Sequence, residues 1–349
     1  MKSKDMVKFI GRVAFWGGFC LLFTVLLCMI VDPYNVFHVH NIRDNGVEPN
    51  KNYIKMSCLM EQPGKYDAFM LGNSRVSSLH TEKLEGVHCY NLTYSSGMVW
   101  EHVDNVKTLL AGGAQIKHLY LGVDSASYGT DCEGREQDPI RMSYEYIQKH
   151  PLAFFRAQMD TARTFKSLNT SLKHRASEDF GHIFYEYGWS LGYELQGMAE
   201  DVGRWGDVAV FTCPQYREQM ERTLDSIAEL RAICEENGIE LTVFTHPMLW
   251  NAYKGSMKEL DYAEFLRRLA SVTPYYNFSG INAVTVRFDN YVDPSHYTAQ
   301  IGDLLLDRFN GKETDPALYA EGFGWYITEE NVEELLELLD RTEEAYGDI

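Results

Sequence analysis

The stretch "FMLGNSRVSS" places a serine at a bend, where the run Asp67 to Leu71 gives way to Gly72-Asn73-Ser74-Arg75. A serine hydroxyl becomes a nucleophile when a nearby base takes its proton. A strand-to-helix bend exposes that hydroxyl beside the backbone N–H groups of a helix start, which favour a developing oxyanion. Far downstream, "YVDPSHYTAQIGDLLLDRF" sets Asp293 three residues before His296. A carboxylate there can accept the imidazole N–H and fix its tautomer, leaving the other ring nitrogen to take a proton from a hydroxyl. Each stretch taken alone also has a plainer meaning. Serine is common at helix N-caps, and Asp293 or Ser295 would cap the helix that follows, with His296 in its exposed first turn. On residue types alone both meanings stay open.

Other chemistry-bearing residues are less pointed. His246, in "VFTHPMLW", would lie beyond the carboxyl end of a strand, either touching substrate or packed as structure. His38 and His40 alternate in "FHVHN" without a carboxylate cluster, so no metal site is expected there. Ser77, Ser78, Ser95 and Ser96 lie off the bend and read as caps or turns, while Arg75 reads as an anchor of the Ser74 loop through a buried ion pair. Of the seven cysteines, Cys20 and Cys28 fall in an apolar N-terminal run. The rest (Cys58, Cys89, Cys132, Cys213, Cys234) are scattered, with no CxxC or Cys/His spacing for zinc. One disulfide remains open; no metal and no cofactor is expected.

The elements that must position these groups alternate. "YDAFML", "VHCYNLT", "IKHLYLGV", "GIELTVFTHP" and, more weakly, "TPYYNFSG" read as short strands. Helical spacing appears in Val99, Val103, Val106 and Leu110, in the run from Gln215 to Asn237 with Gly238 as its cap, and in Ile301, Leu304, Leu305 and Phe309. Short apolar strands separated by helices predict a parallel sheet buried on both faces, with reactive groups beyond the carboxyl ends of its strands. A helical insertion over about 129–214 contains the aromatic stretch "FGHIFYEYGWSLGYEL", which reads first as packing and second as a partner-docking surface. Residues 311–349 read as an acidic helical extension appended after "GKETDP".

Val13 to Val31 carries no charge and is long enough to span a bilayer as a helix. Lys2, Lys4, Lys8 and Arg12 precede it and Asp32 and Pro33 follow. The expected topology is therefore a cytoplasmic segment 1–12, a signal anchor 13–31, a connecting segment 32–64 and an extracytoplasmic domain 65–310. "CMIVDPYNVF" offers no small-x-small cleavage site, so a cleaved signal peptide fits less well; a buried core helix is the remaining alternative. The formal net charge of −18 excludes a nucleic-acid partner as an expectation, since nothing here would neutralise phosphates.

Taken together, Gly72-Asn73-Ser74-Arg75 and Asp293-Pro294-Ser295-His296 resemble the first and last blocks of the SGNH (GDSL-like) hydrolase superfamily. With the anchor and the adjoining "VDPYNVF", the arrangement is similar to the membrane-anchored branch that includes alginate O-acetylation proteins and DltD-like proteins, which work beside membrane-bound O-acyltransferases. The resemblance implies an α/β, flavodoxin-like three-layer fold with Ser74 as nucleophile, His296 as base and Asp293 as its orienting partner. It also implies oxyanion donors at the N–H groups of Ser74 and Gly97. The third block of that family offers Gly-x-Asn, whereas this chain has Gly122 followed by Asp124, a carboxylate that cannot donate and would repel a developing negative charge. Asn73, Asp124 and His246 are the residues expected to border a substrate. The implied activity is serine-dependent O-acyl transfer or ester hydrolysis on a cell-surface or secreted polysaccharide, O-acetylation above all. The strong acidity disfavours a polyphosphate acceptor. The alternative is a non-catalytic polysaccharide-binding or scaffold subunit of such an acylation complex.

Overall fold

The computed structural model describes residues 3–40, 42, 45–77, 79–173, 184–188 and 212–347. Its strands are β1 (Ala68–Leu71), β2 (Cys89–Asn91), β3 (His118–Val123), β4 (Glu240–Thr245), β5 (Tyr275–Asn277), β6 (Tyr291–Asp293), β7 (His296–Tyr297) and β8 (Trp325–Ile327). Six of them form one sheet in the order β2-β1-β3-β4-β5-β8, parallel except for β8, which runs antiparallel to β5. The weakest of the five expected strands, β5, is thus a full member. In register, Phe69 lies opposite both Tyr90 and Leu119, and Leu121 opposite both Leu71 and Val243. Every residue of β1 is buried, as a strand covered on both faces requires. The strand order reverses between β1 and β3, so the loops leaving their carboxyl ends diverge.

The helices follow the expected stripes with two shifts. In Val99–Ala111 the buried face is Val99, Val103 and Val106 with Leu109 rather than Leu110. In Ala299–Phe309 it is Ile301, Gly302, Leu305 and Leu306, while Leu304, about 100° round the helix from Leu305, is exposed. Gly238, at φ 66, ends Tyr216–Asn237 in the left-handed conformation that glycine adopts without strain.

Residues beyond Gly311 are not a free appendage. β8 pairs Ile327, Tyr326 and Trp325 with Tyr275, Tyr276 and Asn277, which makes it an edge strand of the main sheet. Helix Val332–Tyr346 then buries Val332, Leu335, Leu336 and Leu339. The acidic composition hides this apolar stripe, because the glutamates occupy the opposite face. Leu339 lies over Gly280 (φ 126), where a Cβ would come within 2.5 Å of its Cδ2.

The chain divides into two compact units, Met1–Ile54 with Gly134–Gly181, and Lys55–Glu133 with His182–Ile349. In the first unit Tyr34, Val36, Val47, Met142, Ile147 and Phe154 share a core. Its helix Ser3–Val31 is long and apolar enough to cross a membrane. That helix stops at Asp32, whose φ of 48 turns the chain before Pro33; its carboxylate accepts the N–H groups of Val36, Phe37 and His38, each at 2.9 Å. In the second unit the aromatic stretch contributes Phe184, which is buried, and Tyr187, whose carbonyl accepts the Asn91 N–H at 2.8 Å along the free edge of β2. The rest of that stretch, apart from residues 184–188, and Ser78 lie outside the described residues.

Leu339→Ala is expected to cost about 2–5 kcal/mol, as for other buried leucines, with Glu337→Ala near zero. Chemical denaturation of the detergent-solubilised chain measures both, and equal, negligible effects would mean that the C-terminal helix does not share the core.

Candidate active site

β1 ends in a turn that only glycine can make. At Gly72 (φ 140) a Cβ would meet the Gly122 carbonyl at 2.8 Å and the Val76 Cγ2 at 2.9 Å. Asn73 then caps the 3-10 turn Ser74–Val76, its Oδ1 accepting the Arg75 N–H at 3.0 Å and its Nδ2 donating to Asp124 Oδ1 at 3.2 Å. Ser77 closes the turn by donating its hydroxyl to the Ser74 carbonyl at 2.6 Å. Ser74 itself is half-buried, so its hydroxyl is held yet reachable.

The second half of the site comes from the β6–β7 hairpin. Asp293 Oδ1 accepts the N–H groups of Ser295 (2.7 Å) and His296 (3.0 Å), which folds the Asp-Pro-Ser-His turn back on itself. His296 Nδ1 lies 2.8 Å from both carboxylate oxygens, and its Nε2 lies 2.9 Å from Ser74 Oγ. With the ring proton on Nδ1, the hydroxyl donates to Nε2 and the imidazole donates to the carboxylate. Burial would raise the Asp293 carboxyl, but the hydrogen bond and charge of His296, with the two backbone N–H groups, hold it below its ordinary range. The imidazole side chain is largely buried, the carboxylate half-exposed. Helix Ala299–Phe309 begins only after Thr298, so His296 belongs to a strand, not to a first helical turn.

Arg75 and Asp124, which the sequence left apart, are partners. The guanidinium Nη1 donates to Asp124 Oδ2, and Nε donates to the Ser295 carbonyl at 3.1 Å. Asp124 is fully buried and also accepts the Ala126 N–H at 2.8 Å. Burial raises its carboxyl, yet Arg75, His246 and these hydrogen bonds outweigh that and keep it below its usual range. Asp124 is therefore a buried carboxylate whose charge is compensated by the Arg75 guanidinium. Asn73, also buried, has both ends of its amide engaged with protein partners and does not border an open pocket.

Gly97 and His246 have the following surroundings. Gly97 donates its N–H to the Tyr94 carbonyl at 3.0 Å, which commits the expected oxyanion donor to a turn. Its glycine identity has another cause, since a Cβ there would lie 2.6 Å from the Gly72 carbonyl and 2.9 Å from His102 Nε2. His246 is wholly buried, with Nδ1 3.4 Å from the Tyr297 hydroxyl and Nε2 without a hydrogen-bond partner among the described residues. Sequence reasoning missed His102, whose Nε2 sits 2.9 Å from the Gly72 carbonyl. Its only signal was a polar residue within an apolar helix face. Among the described residues no acceptor meets the Ser74 N–H, which leaves it open to an oxyanion.

Elsewhere, His38 Nδ1 pairs with Asp32 at 2.9 Å, and all seven cysteines are free. Among the described residues no group of three or more His, Cys, Asp or Glu is placed to hold a metal. A cavity bordered by Lys117, His118, Tyr120, Glu240 and Phe309 lies at the amino ends of β3 and β4, the far end of the sheet from Ser74. No family model matches the chain, and no curated protein matches it in sequence.

Chemically, the series can pass a proton from Ser74 to His296 as Oγ attacks a carbonyl, then return it to the leaving group, with Asp293 stabilising the imidazolium. Removing one buried partner should be severe. Arg75→Met is expected to lose about 3–5 kcal/mol in chemical denaturation, because Asp124 is left charged and unpaired; Arg75→Met with Asp124→Leu should recover most of it. A second expectation concerns pH. Burial, with Arg75 and His296 adding to it against the opposing Asp124, lowers His246 to about 4, so it stays neutral in the fold where the unfolded chain takes up a proton. Its contribution to stability is thus complete above about pH 6.5 and falls by about 3 kcal/mol as the pH drops to about 4. The depressed carboxyls of Asp124 and Asp293 act in a lower window, their contribution present above the ordinary carboxylate range and lost as pH falls below it toward their depressed values in the fold. Denaturation midpoints of wild type and His246→Gln between pH 7 and 4 separate the two, and an unchanged slope in the variant would exclude His246 as the source.

Proposed function

We propose that the chain is a membrane-tethered, extracytoplasmic serine O-acyltransferase or esterase of the SGNH type, with Ser74 as nucleophile, His296 as base and Asp293 as its orienting carboxylate. The observation that carries this reading is the unbroken hydroxyl–imidazole–carboxylate series, 2.9 Å and 2.8 Å link by link, between groups 222 residues apart in the chain. The strand order β2-β1-β3-β4-β5, which is that of a flavodoxin-like sheet, supports it, as does the position of Ser74 beyond the carboxyl end of β1 at the reversal.

In the proposed reaction Ser74 Oγ attacks an acyl ester or thioester carbonyl while His296 Nε2 takes the hydroxyl proton. The tetrahedral oxyanion is met by the Ser74 N–H; collapse expels the donor's leaving group, which receives the proton from His296. A sugar hydroxyl or water, deprotonated by the same imidazole, then attacks the acyl-serine and restores the free enzyme. The Arg75 guanidinium beside Asp124 offsets the charge that would otherwise oppose the oxyanion. A polysaccharide at the membrane surface suits such an acceptor, and a membrane-bound O-acyltransferase would supply the acyl group. The apolar helix Ser3–Val31 keeps donor and acceptor at high effective concentration.

A second reading draws on one observation. With the Gly97 N–H committed to Tyr94 and Asp124 in place of a side-chain donor, the oxyanion would have a single backbone donor, which suits a non-catalytic polysaccharide-binding or scaffold subunit.

A serine-directed fluorophosphonate applied to the detergent-solubilised chain is expected to modify Ser74, with labelling lost in Ser74→Ala and reduced about a thousandfold or more in His296→Ala. Polysaccharide acylation in cells carrying Ser74→Ala should disappear. Wild-type levels of acylation in that variant would favour the scaffold.

A further inference from the structure

We infer that the helices Pro151–Ala157 and Thr161–Lys173 form a second membrane contact, lying in the lipid headgroup region beside the end of the apolar helix and pairing with anionic lipid. The inference rests on reading Ser3–Val31 as a membrane span. Helix Thr161–Lys173 packs on that helix: Thr164 Oγ1 reaches Cys28 Sγ at 3.4 Å, and both residues are buried. Cys28 lies in the last turn of the apolar run, one turn before Asp32. If that turn is at the bilayer boundary, Thr164 and its neighbour Phe165 are at the boundary too.

The side chains at this level suit lipid. Leu152 is 85% exposed and Phe165 is 63% exposed; outside the apolar helix itself, no large apolar side chain among the described residues is as exposed. Leucine and phenylalanine held in water to this degree are unfavourable, whereas an acyl-chain boundary accepts them. The charge pattern points the same way. Between His150 and Thr170 there are three cations, Arg156, Arg163 and Lys166, against the single carboxylate of Asp160, in a chain whose net charge is −18. All three cations are exposed, and among the described residues none forms an ion pair. Asp160 is already occupied, accepting the Tyr34 hydroxyl at 3.2 Å and the Arg163 N–H at 2.9 Å. Basic residues interleaved with exposed apolar ones, next to a span, are what an anionic headgroup layer recognises.

The test uses the full chain reconstituted in vesicles of phosphatidylcholine, with and without a quarter of phosphatidylglycerol. An environment-sensitive fluorescent amino acid is placed singly at Leu152, Phe165, Phe19 and Tyr326. The expected result is blue-shifted emission at 152 and 165, quenched by lipids brominated near the headgroup and protected from aqueous iodide, with Tyr326 behaving oppositely. Shielding at 165 should deepen with phosphatidylglycerol, and Arg163→Glu with Lys166→Glu should abolish that increment. If 152 and 165 are as open to iodide as 326 while 19 is quenched by deep brominated lipid, the inference fails and the span stands. If 19 is also open to iodide, the span reading fails with it. Exposure in vesicles but shielding in native membranes would mean a protein partner and would overturn the lipid contact.

Discussion

Three chain segments meet on the Arg75 guanidinium, and the candidate site depends on that meeting. Arg75 follows Ser74 directly, Asp124 leaves the end of β3, and Ser295, whose carbonyl takes the third contact, precedes His296 directly. One planar cation with several donors in a fixed fork thus ties the loop that carries the hydroxyl to the hairpin that carries the imidazole. The guanidinium reaches Asp124 and Ser295 from two different nitrogens held in one plane, where an ammonium would have all its donors on a single atom. Burying the pair is expensive in solvation, and its mutual attraction only offsets that cost when the remaining hydrogen bonds are satisfied. Here they are: Asp124 also takes the Asn73 amide and the Ala126 N–H. The geometry around Ser74 is fixed by polar groups that no substrate has to touch.

Much of this was legible in the sequence, and the failures share a cause. The strands were marked by short apolar runs and the turn that carries Ser74 by Gly72, because these features are local. Ser74, His296 and Asp293 were legible because a hydroxyl, an imidazole and a carboxylate each sat where a bend or turn could present it. Asp124 and Arg75 were each noticed, one as a missing oxyanion donor and the other as an anchor without a partner. That they neutralise each other depends on β1 and β3 being neighbours, a non-local fact that spacing does not contain. The same holds for the C-terminal segment. Its glutamates dominate the composition, while the pairing of Trp325, Tyr326 and Ile327 with β5 is visible only once the sheet is assembled.

Gly97, which the family resemblance offered as an oxyanion donor, donates its N–H to the Tyr94 carbonyl. What demands glycine there is proximity. A Cβ at Gly97 would strike the Gly72 carbonyl, one at Gly72 would strike the Gly122 carbonyl, and one at Gly122 would lie 2.6 Å from the His246 ring. The three glycines form a row across the carboxyl ends of the central strands, each making room for the next.

That row also accounts for the burial of His246 and for its low basicity. Packed on Gly122 at one end of the row, its ring would gain a charge only out of solvent and beside the Arg75 guanidinium, a cost that the nearby Asp124 carboxylate only partly offsets. It therefore remains a neutral filler, whereas His296 lies between the Ser74 hydroxyl and the Asp293 carboxylate. Two histidines beyond the ends of the same sheet thus sit in different surroundings. Residue type nominated both; the backbone contact of a single glycine and the reach of a single carboxylate separate them.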